Sequence, residues 1–251
     1  MMPRLPSEFL TIPLAHRALH DVKDGRPENS RAAVSAAIAH GFGIEVDVQL
    51  SSDGGSMVFH DYALDRLADA SGPIRAKDIA TLQSTPLKGG AEGVPTLSDI
   101  LSLVAGRVPV LIEVKDQDGA MGADVGPLER ATAQALAGYE GPVAVMSFNP
   151  HSVRLMGELL PHIPRGIVTS DYAEDWPLSA DVRDRLREIP DYDVVGASFI
   201  SHQHTDLQRP RVAELRGMGA DVLCWTIRSP KEAANALRVA QNITFEGYLP
   251  R

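Results

Sequence analysis

Short aliphatic runs recur along the whole chain, separated mostly by polar stretches with helical patterning. The runs are "FLTIPLAH", "IEVDVQL", "SMVFH", "VPVLIEVK", "PVAVMSF", "RGIVTS", "VVGASFI", "ADVLCWTI" and "ITFEGYL". Each has strand length and a β-branched bias. Between them, "ENSRAAVSAAIAHG" offers Asn29 or Ser30 as an N-cap and Gly41 as a stop. "TLSDILSLVAG" opens with Thr96 and Asp99 at capping-box spacing and closes on Gly106. "DVGPLERATAQALAGY", "NPHSVRLMGELL", "RPRVAELRGMG" and "SPKEAANALRVA" have the same character, and "DYAEDWPLSADVRDRLRE" reads as a solvated loop and helix. Strands alternating with helices of about 10–15 residues predict βαβ units and a parallel sheet.

Nine runs are one too many for a closed (β/α)8 barrel. The gap "SSDGGS" between "IEVDVQL" and "MVFHD" resolves the excess. A parallel crossover needs about a dozen residues or more, whereas Asp53-Gly54-Gly55 suits a tight hairpin. The second strand therefore folds over at its end and returns toward the mouth as an antiparallel arm. The expected fold class is α/β, a (β/α)8 TIM barrel with a small insertion after the second strand. Residues 1–251 form a single domain in this reading, with the insertion at about 51–95.

The alternation in "IEVDVQL" also divides chemistry from packing. Ile44, Val46, Val48 and Leu50 share one face, Glu45, Asp47 and Gln49 the other. Glu45 and Asp47 lie about 6–7 Å apart by strand rise. Alone, the pair is compatible with a solvated face. "VLIEVKD" repeats the pattern, placing Glu113 and Lys115 on one face of another aliphatic strand. In barrels of this kind chemistry collects at the carboxyl ends of the strands. Three converging carboxylates need a cation, and all-oxygen ligands favour Mg2+ or Ca2+ over zinc. His16-Arg17 ends the first run, and His60-Asp61 ends the returning arm. Arginine's fork suits phosphate, and histidines move protons near neutral pH. The set describes a metal-assisted phosphodiester cleavage site. Glu45, Asp47 and Glu113 hold the metal, Arg17 and Lys115 bind phosphoryl oxygens, and His16 and His60 serve as acid and base.

Composition narrows the class further. The 251 residues are 44% hydrophobic, enough for one large core, and the net charge is −9. Such an acidic chain disfavours nucleic acid and anionic membrane surfaces, so an anionic substrate depends on a few local cations. No apolar run is long enough to span a membrane, and no signal peptide is expected from "MMPRLPSEFLTIPLAHR". Cys224 is the only cysteine and sits in an apolar run, which reads as a buried small hydrophobe. A cytoplasmic enzyme with a small-molecule phosphodiester substrate is the expectation.

The segments "AHRALHD", "PENS", "IEVDVQLSSDGGSMVFHD", "GVPTLSDIL", "LIEVK", "SFNP" and "WTI", in this order, resemble the glycerophosphodiester phosphodiesterases. The resemblance covers nearly the whole chain, most securely residues 15–148. It implies a TIM barrel with a subdomain inserted after the second strand. It implies a divalent metal on Glu45, Asp47 and Glu113, acid–base roles for His16 and His60, and phosphate contacts from Arg17 and Lys115. Glu28 and Asn29 match a motif that shapes the same rim, with Glu28 as a further metal or support candidate. The implied reaction is hydrolysis of a glycerophosphodiester to glycerol 3-phosphate and an alcohol, the substrate's own glycerol hydroxyl attacking first. Three departures stand out: Ala18 where the family has Gly, Arg228 where it has Asn, and "TFEGYLP" in place of a "TDxP"-like segment. The last two fall where a head group or glycerol would sit.

Two other readings compete. His202 and His204 in "SHQH" share a face if the strand continues, which suggests a different metal-dependent TIM-barrel hydrolase. A non-catalytic phosphate-binding relative with altered substrate-side residues is the second.

Overall fold

The computed structural model describes residues 3–250. Nine strands follow in chain order: β1 (Leu14–Ala15), β2 (Gly43–Leu50), β3 (Ser56–Val58), β4 (Val110–Val114), β5 (Val143–Ser147), β6 (Arg165–Thr169), β7 (Phe199–Gln203), β8 (Asp221–Ile227) and β9 (Asn242–Phe245). The helices are α1 (Glu8–Thr11), α2 (Arg31–His40), α3 (Ile79–Ser84), α4 (Leu97–Val104), α5 (Pro127–Leu136), α6 (Pro150–Leu159), α7 (Ala180–Arg187), α8 (Pro210–Gly217) and α9 (Pro230–Ala236). All strands but β3 are parallel, and β1 pairs with both β2 and β9, which closes a barrel of eight. The (β/α)8 architecture expected from the alternation of runs is therefore present.

Strand parity sorts the core into two layers. Ile44, Val46 and Val48 of β2 and Val110, Ile112 and Val114 of β4 pack outward, in one cluster with Val34, Ile100 and Leu101 of the surrounding helices. Leu14, Leu111, Met146, Val168, Phe199 and Leu223 form a second cluster in the barrel interior. A Cβ on Gly166 of β6 would lie 2.3 Å from the Phe199 ring, so only glycine leaves space for that ring. The helix signals read from sequence resolve cleanly. Ser30 caps α2 by accepting from the Ala33 amide, with Gly41 left-handed at its other end. Thr96 and Asp99 make the reciprocal capping box of α4. That helix ends on left-handed Ala105, one residue before Gly106.

Two runs behave differently from their reading as strands. In "FLTIPLAH" only Leu14–Ala15 is strand, and Glu8–Thr11 is helical. Leu5 and Phe9 turn under the barrel and join its interior cluster, and the Asn242 amide donates to the Phe9 and Ile12 carbonyls. Closing the barrel floor with a fully buried Phe, a gain of roughly 1.5–3 kcal/mol, outweighs the extended preference of a short run. In "VVGASFI" the strand begins only at Phe199. Val194 is exposed and Gly196 is left-handed in the turn before it.

Residues 51–95 leave the barrel as an excursion. β3 returns antiparallel to β2, with Gln49 opposite Met57. The turn is held by Ser51 Oγ, which accepts from the Gly55 amide at 2.7 Å and donates to Asp53 at 2.6 Å. The excursion has a small core of its own, including Met57, Phe59, Leu64, Ile74, Leu82 and Leu87. Its last stretch packs on its own helix α3 at Gly93, where a Cβ would stand 1.9 Å from the Gln83 carbonyl oxygen.

Candidate active site

Parity turns Glu45 and Asp47 into the barrel, and register does the rest. Asp47 of β2 stands directly opposite Glu113 of β4. One carboxylate oxygen from each of Glu45, Asp47 and Glu113 lies within 4.8 Å of the other two, and all three residues are buried. Burial, then the charges of Asp47 and Glu113, pushes the Glu45 carboxyl well above the ordinary carboxylate range. Burial acts in the same sense on Asp47, but Lys115, His60 and Arg17 outweigh it and hold that group far below its usual value. The Lys115 ammonium donates to Glu113 Oε1 at 2.6 Å and stands 3.4 Å from Asp47 Oδ1. Burial opposes its charge, but these two carboxylates raise its pKa above the ordinary lysine value. A buried group of hard oxygen donors with excess negative charge fits a divalent cation.

The chain around β1 supplies the cationic rim. Arg17 and Ala18 are both left-handed, at φ 52° and 63°. The bend aims the Arg17 amide at Glu45 Oε2, 2.9 Å away. The guanidinium donates through Nη1 to Glu28 Oε1 at 2.7 Å, while its buried Nε, 3.7 Å from Asp47 Oδ2, has no hydrogen-bond partner among the described residues. Arg17 lines the same cavity as the carboxylates, and a guanidinium with a donor not yet hydrogen-bonded is suited to an anionic oxygen. Asn29, left-handed at φ 60°, fixes Asp47 by donating to Oδ2 at 3.0 Å.

Two imidazoles flank this centre, each backed by a carboxylate. His60 Nδ1 is 2.7 Å from Asp61 Oδ1, and Gln49 of β2 donates to the His60 carbonyl at 3.0 Å. His16 Nδ1 is 2.6 Å from Glu246 Oε2, just after β9. Burial is the main influence on His16 and lowers its pKa despite the pull of Glu246. The Glu246 carboxyl is held far below its usual range, chiefly by the His16 hydrogen bond. A carboxylate on Nδ1 fixes the ring and leaves Nε2 for proton transfer.

All seven residues singled out in the sequence line one cavity of about 180 Å3: His16, Arg17, Glu45, Asp47, His60, Glu113 and Lys115. Phe148, Trp225, Ser201 and Thr244 wall its far side. Glu28 does not reach the carboxylate cluster. It accepts from Arg17 and from both terminal nitrogens of Arg66, which makes it a support. The His202/His204 pairing fails, because the strand ends at Gln203 and His204 opens a short 3-10 turn. His202 is fully buried, with Nδ1 2.7 Å from Thr169 Oγ1 and Nε2 3.3 Å from Asp206 Oδ2. Neither histidine lines the cavity.

Two functional neighbours escaped the sequence reading. Glu246 follows a barrel strand directly, and the strand-end rule that selected His16 would also have selected it. Arg66 bridges Asp61 and Glu28 with four hydrogen bonds, yet nothing in its loop sequence marks it.

The sequence pattern of the glycerophosphoryl diester phosphodiesterase family matches residues 16–242. Bacillus subtilis YhdW is 27% identical over 219 residues, covering 83% of this chain and 84% of that protein. The glycerophosphodiester phosphodiesterase of Caldanaerobacter subterraneus is 32% identical over 170 residues, 63% of this chain and 66% of its own. A phosphodiesterase of Oleispira antarctica, solved in complex with its product sn-glycerol-3-phosphate, superposes with a TM-score of 0.75. It is 22% identical, and the match covers 98% of this chain and 93% of that one, a likeness of fold. Among the described residues no helix is long and apolar enough to cross a membrane.

Proposed function

This chain belongs to the glycerophosphoryl diester phosphodiesterase family, and from that premise we propose that it hydrolyses a glycerophosphodiester to glycerol 3-phosphate and an alcohol, with two histidines as acid and base. The observation that carries the reading is the convergence of three buried carboxylates within 4.8 Å, in a cavity that His16 and His60 also line.

Glu45, Asp47 and Glu113 are the residues to hold a divalent cation, Mg2+ or Ca2+. When bound, that ion supplies positive charge to the phosphoryl oxygens. The guanidinium of Arg17 and the largely buried ammonium of Lys115 bind the remaining phosphate charge. Arg17 is held for this task by Glu28, Lys115 by Glu113. One imidazole takes the proton of the attacking glycerol hydroxyl, the other gives a proton to the departing alkoxide, and water then opens the cyclic phosphate to glycerol 3-phosphate. Glu246 and Asp61 keep each ring oriented and stabilise it when it is charged.

The test is release of glycerol 3-phosphate from glycerophosphocholine, with and without a chelator, in wild type and Glu45→Gln. Loss of release in both the chelated and the substituted enzyme is expected. Release indifferent to chelator would overturn the carboxylate–cation assignment. Absence of release from any diester by the metal-loaded protein would instead favour a phosphate-binding role.

A further inference from the structure

The cavity does not end at the phosphate-facing groups. It runs on into a groove of about 480 Å3, with His60, Glu113, Lys115, Phe148 and Trp225 common to both. Past these the walls are Tyr62, Met121, Trp176, Pro177 and Leu178, nearly all hydrocarbon. The aromatic side is built rather than accidental. Phe148 meets Trp225 edge-on at 5.6 Å and Trp176 at 5.1 Å, and fully buried Tyr172 backs Trp176 at 5.0 Å.

Aromatic walls suit either a hydrocarbon or a quaternary ammonium. The carboxylates at this groove and its aliphatic wall decide between them. Asp61 is bonded to His60 and Arg66, Asp116 to the Asn149 side chain and the Met121 amide, and Glu113 to Lys115. Asp61 and Glu113 are paired with cations and only Asp116, held by two neutral donors, is not, while Met121, Pro177 and Leu178 add aliphatic wall that an ammonium does not use, so the groove favours a hydrocarbon. A second way out of the cavity, past Thr226 and Arg228 to Asp171 and Gln203, is polar, and the Trp176 and Trp225 rings border both outlets. The site thus has one apolar and one polar outlet around a single phosphate position.

We infer that the apolar groove takes a hydrocarbon chain carried by one arm of the diester, so that the preferred substrate is a single-chain amphiphilic phosphodiester and not a small polar one. The inference rests on the phosphodiesterase reading above. Each methylene that enters the groove leaves water, and strengthens binding about two- to fourfold.

Trp176 and Trp225 are the only two tryptophans of the chain, and both line the groove. Their fluorescence therefore reports occupancy without turnover. Titration with n-alkylphosphocholines from butyl to decyl, below micelle formation, is expected to give a saturable blue shift with affinity rising steadily with chain length. In parallel, kcat/KM would be measured for n-alkyl esters of glycerol 3-phosphate, ethyl to octyl, and for 1-acyl glycerophosphocholines of matching length. The first series places the chain on the alcohol arm and the second on the glycerol arm, and a rise in either supports the inference. Leu178→Asp is expected to cut the octyl-to-ethyl ratio by roughly fivefold or more. Cleavage of the ethyl ester with no chain-length dependence in rate or fluorescence would overturn the groove assignment and leave the phosphodiesterase reading intact. Chain-dependent fluorescence with no cleavage of any ester would do the reverse.

Discussion

The two sides of the cavity are built on different principles. The side formed by β1, β2, β4 and the excursion is a web of charge, buried at its carboxylate centre and half exposed at its Arg66 end. Glu28, Arg17, Glu45, Asp47, Glu113, Lys115, His60, Asp61 and Arg66 are joined through contacts of 2.6–3.7 Å. The side formed by β5 to β9 is rings and hydroxyls, with Ser201 and Thr244 carrying buried oxygens that have no partner among the described residues. Charge in low dielectric tolerates little displacement, since each group is stable only while its neighbours stay in place. Rings and hydroxyls tolerate exchange. The contrast suggests that the reaction is set by the first side and substrate choice by the second. The departure from the family pattern at Arg228 falls on the tolerant side, whereas "TFEGYLP" also carries Glu246, which backs His16 and belongs with the charged groups.

The sharpest break in that comparison is expected at the carboxylates. Asp47→Asn and Glu45→Gln should each lower kcat/KM for glycerophosphocholine on the order of a thousandfold, measured at saturating Mg2+ or Ca2+. An effect under tenfold would mean that the charged side is not where the reaction is decided. The histidines come next: His60→Ala should cost about 10²–10⁴ in kcat. Glu246→Gln should cost less, about 10–100-fold, since its role is to orient His16. That ordering is open to a direct kinetic comparison. Arg66 is half exposed, so Arg66→Ala should change stability by under about 1 kcal/mol. Its rate should still fall, because Asp61 and Glu28 lose their common partner.

A smaller, separate effect belongs to His202. Burial lowers its pKa below the ordinary histidine value, despite Asp206 nearby. The unfolded chain therefore binds the proton more readily than the folded one. The stability involved is full above about pH 6.5 and is lost as pH falls from there through the folded pKa. Thermal unfolding of wild type and His202→Gln across that window should show a steeper acid decline in wild type. The smallest expected change is at Ala18→Gly. Left-handed backbone costs alanine about 1 kcal/mol, while its fully packed methyl contributes about 0.8 kcal/mol. The two nearly cancel, and the unfolding free energy from denaturant titration should change by no more than about 0.5 kcal/mol.

What could be read from the sequence follows from how strongly local pattern constrains geometry. The β2–β3 hairpin was legible because a six-residue gap forbids a crossover. The meeting of Glu45, Asp47 and Glu113 was legible because alternation fixes which side chains share a face, and neighbouring barrel strands share an interior. Alternation does not say which face is inside, and that is where His202 misled. Its partners on β7, Phe199 and Ser201, point into the barrel, so His202 must point out. α1 was hidden because four apolar-rich residues carry no period. Arg66 was hidden because its partners, Glu28 and Asp61, are distant in sequence or separated by a loop turn, and only the folded excursion brings them within reach.

The hydrogen bond between His16 and Glu246 spans 230 positions and crosses the seam where β1 meets β9. A nascent polypeptide emerging from the ribosome carries His16 long before the strand that precedes Glu246 exists. Until that strand slots between β8 and β1, the imidazole has no anchor and the sheet has two open edges. The last strand to be made thus completes the sheet and anchors the imidazole together.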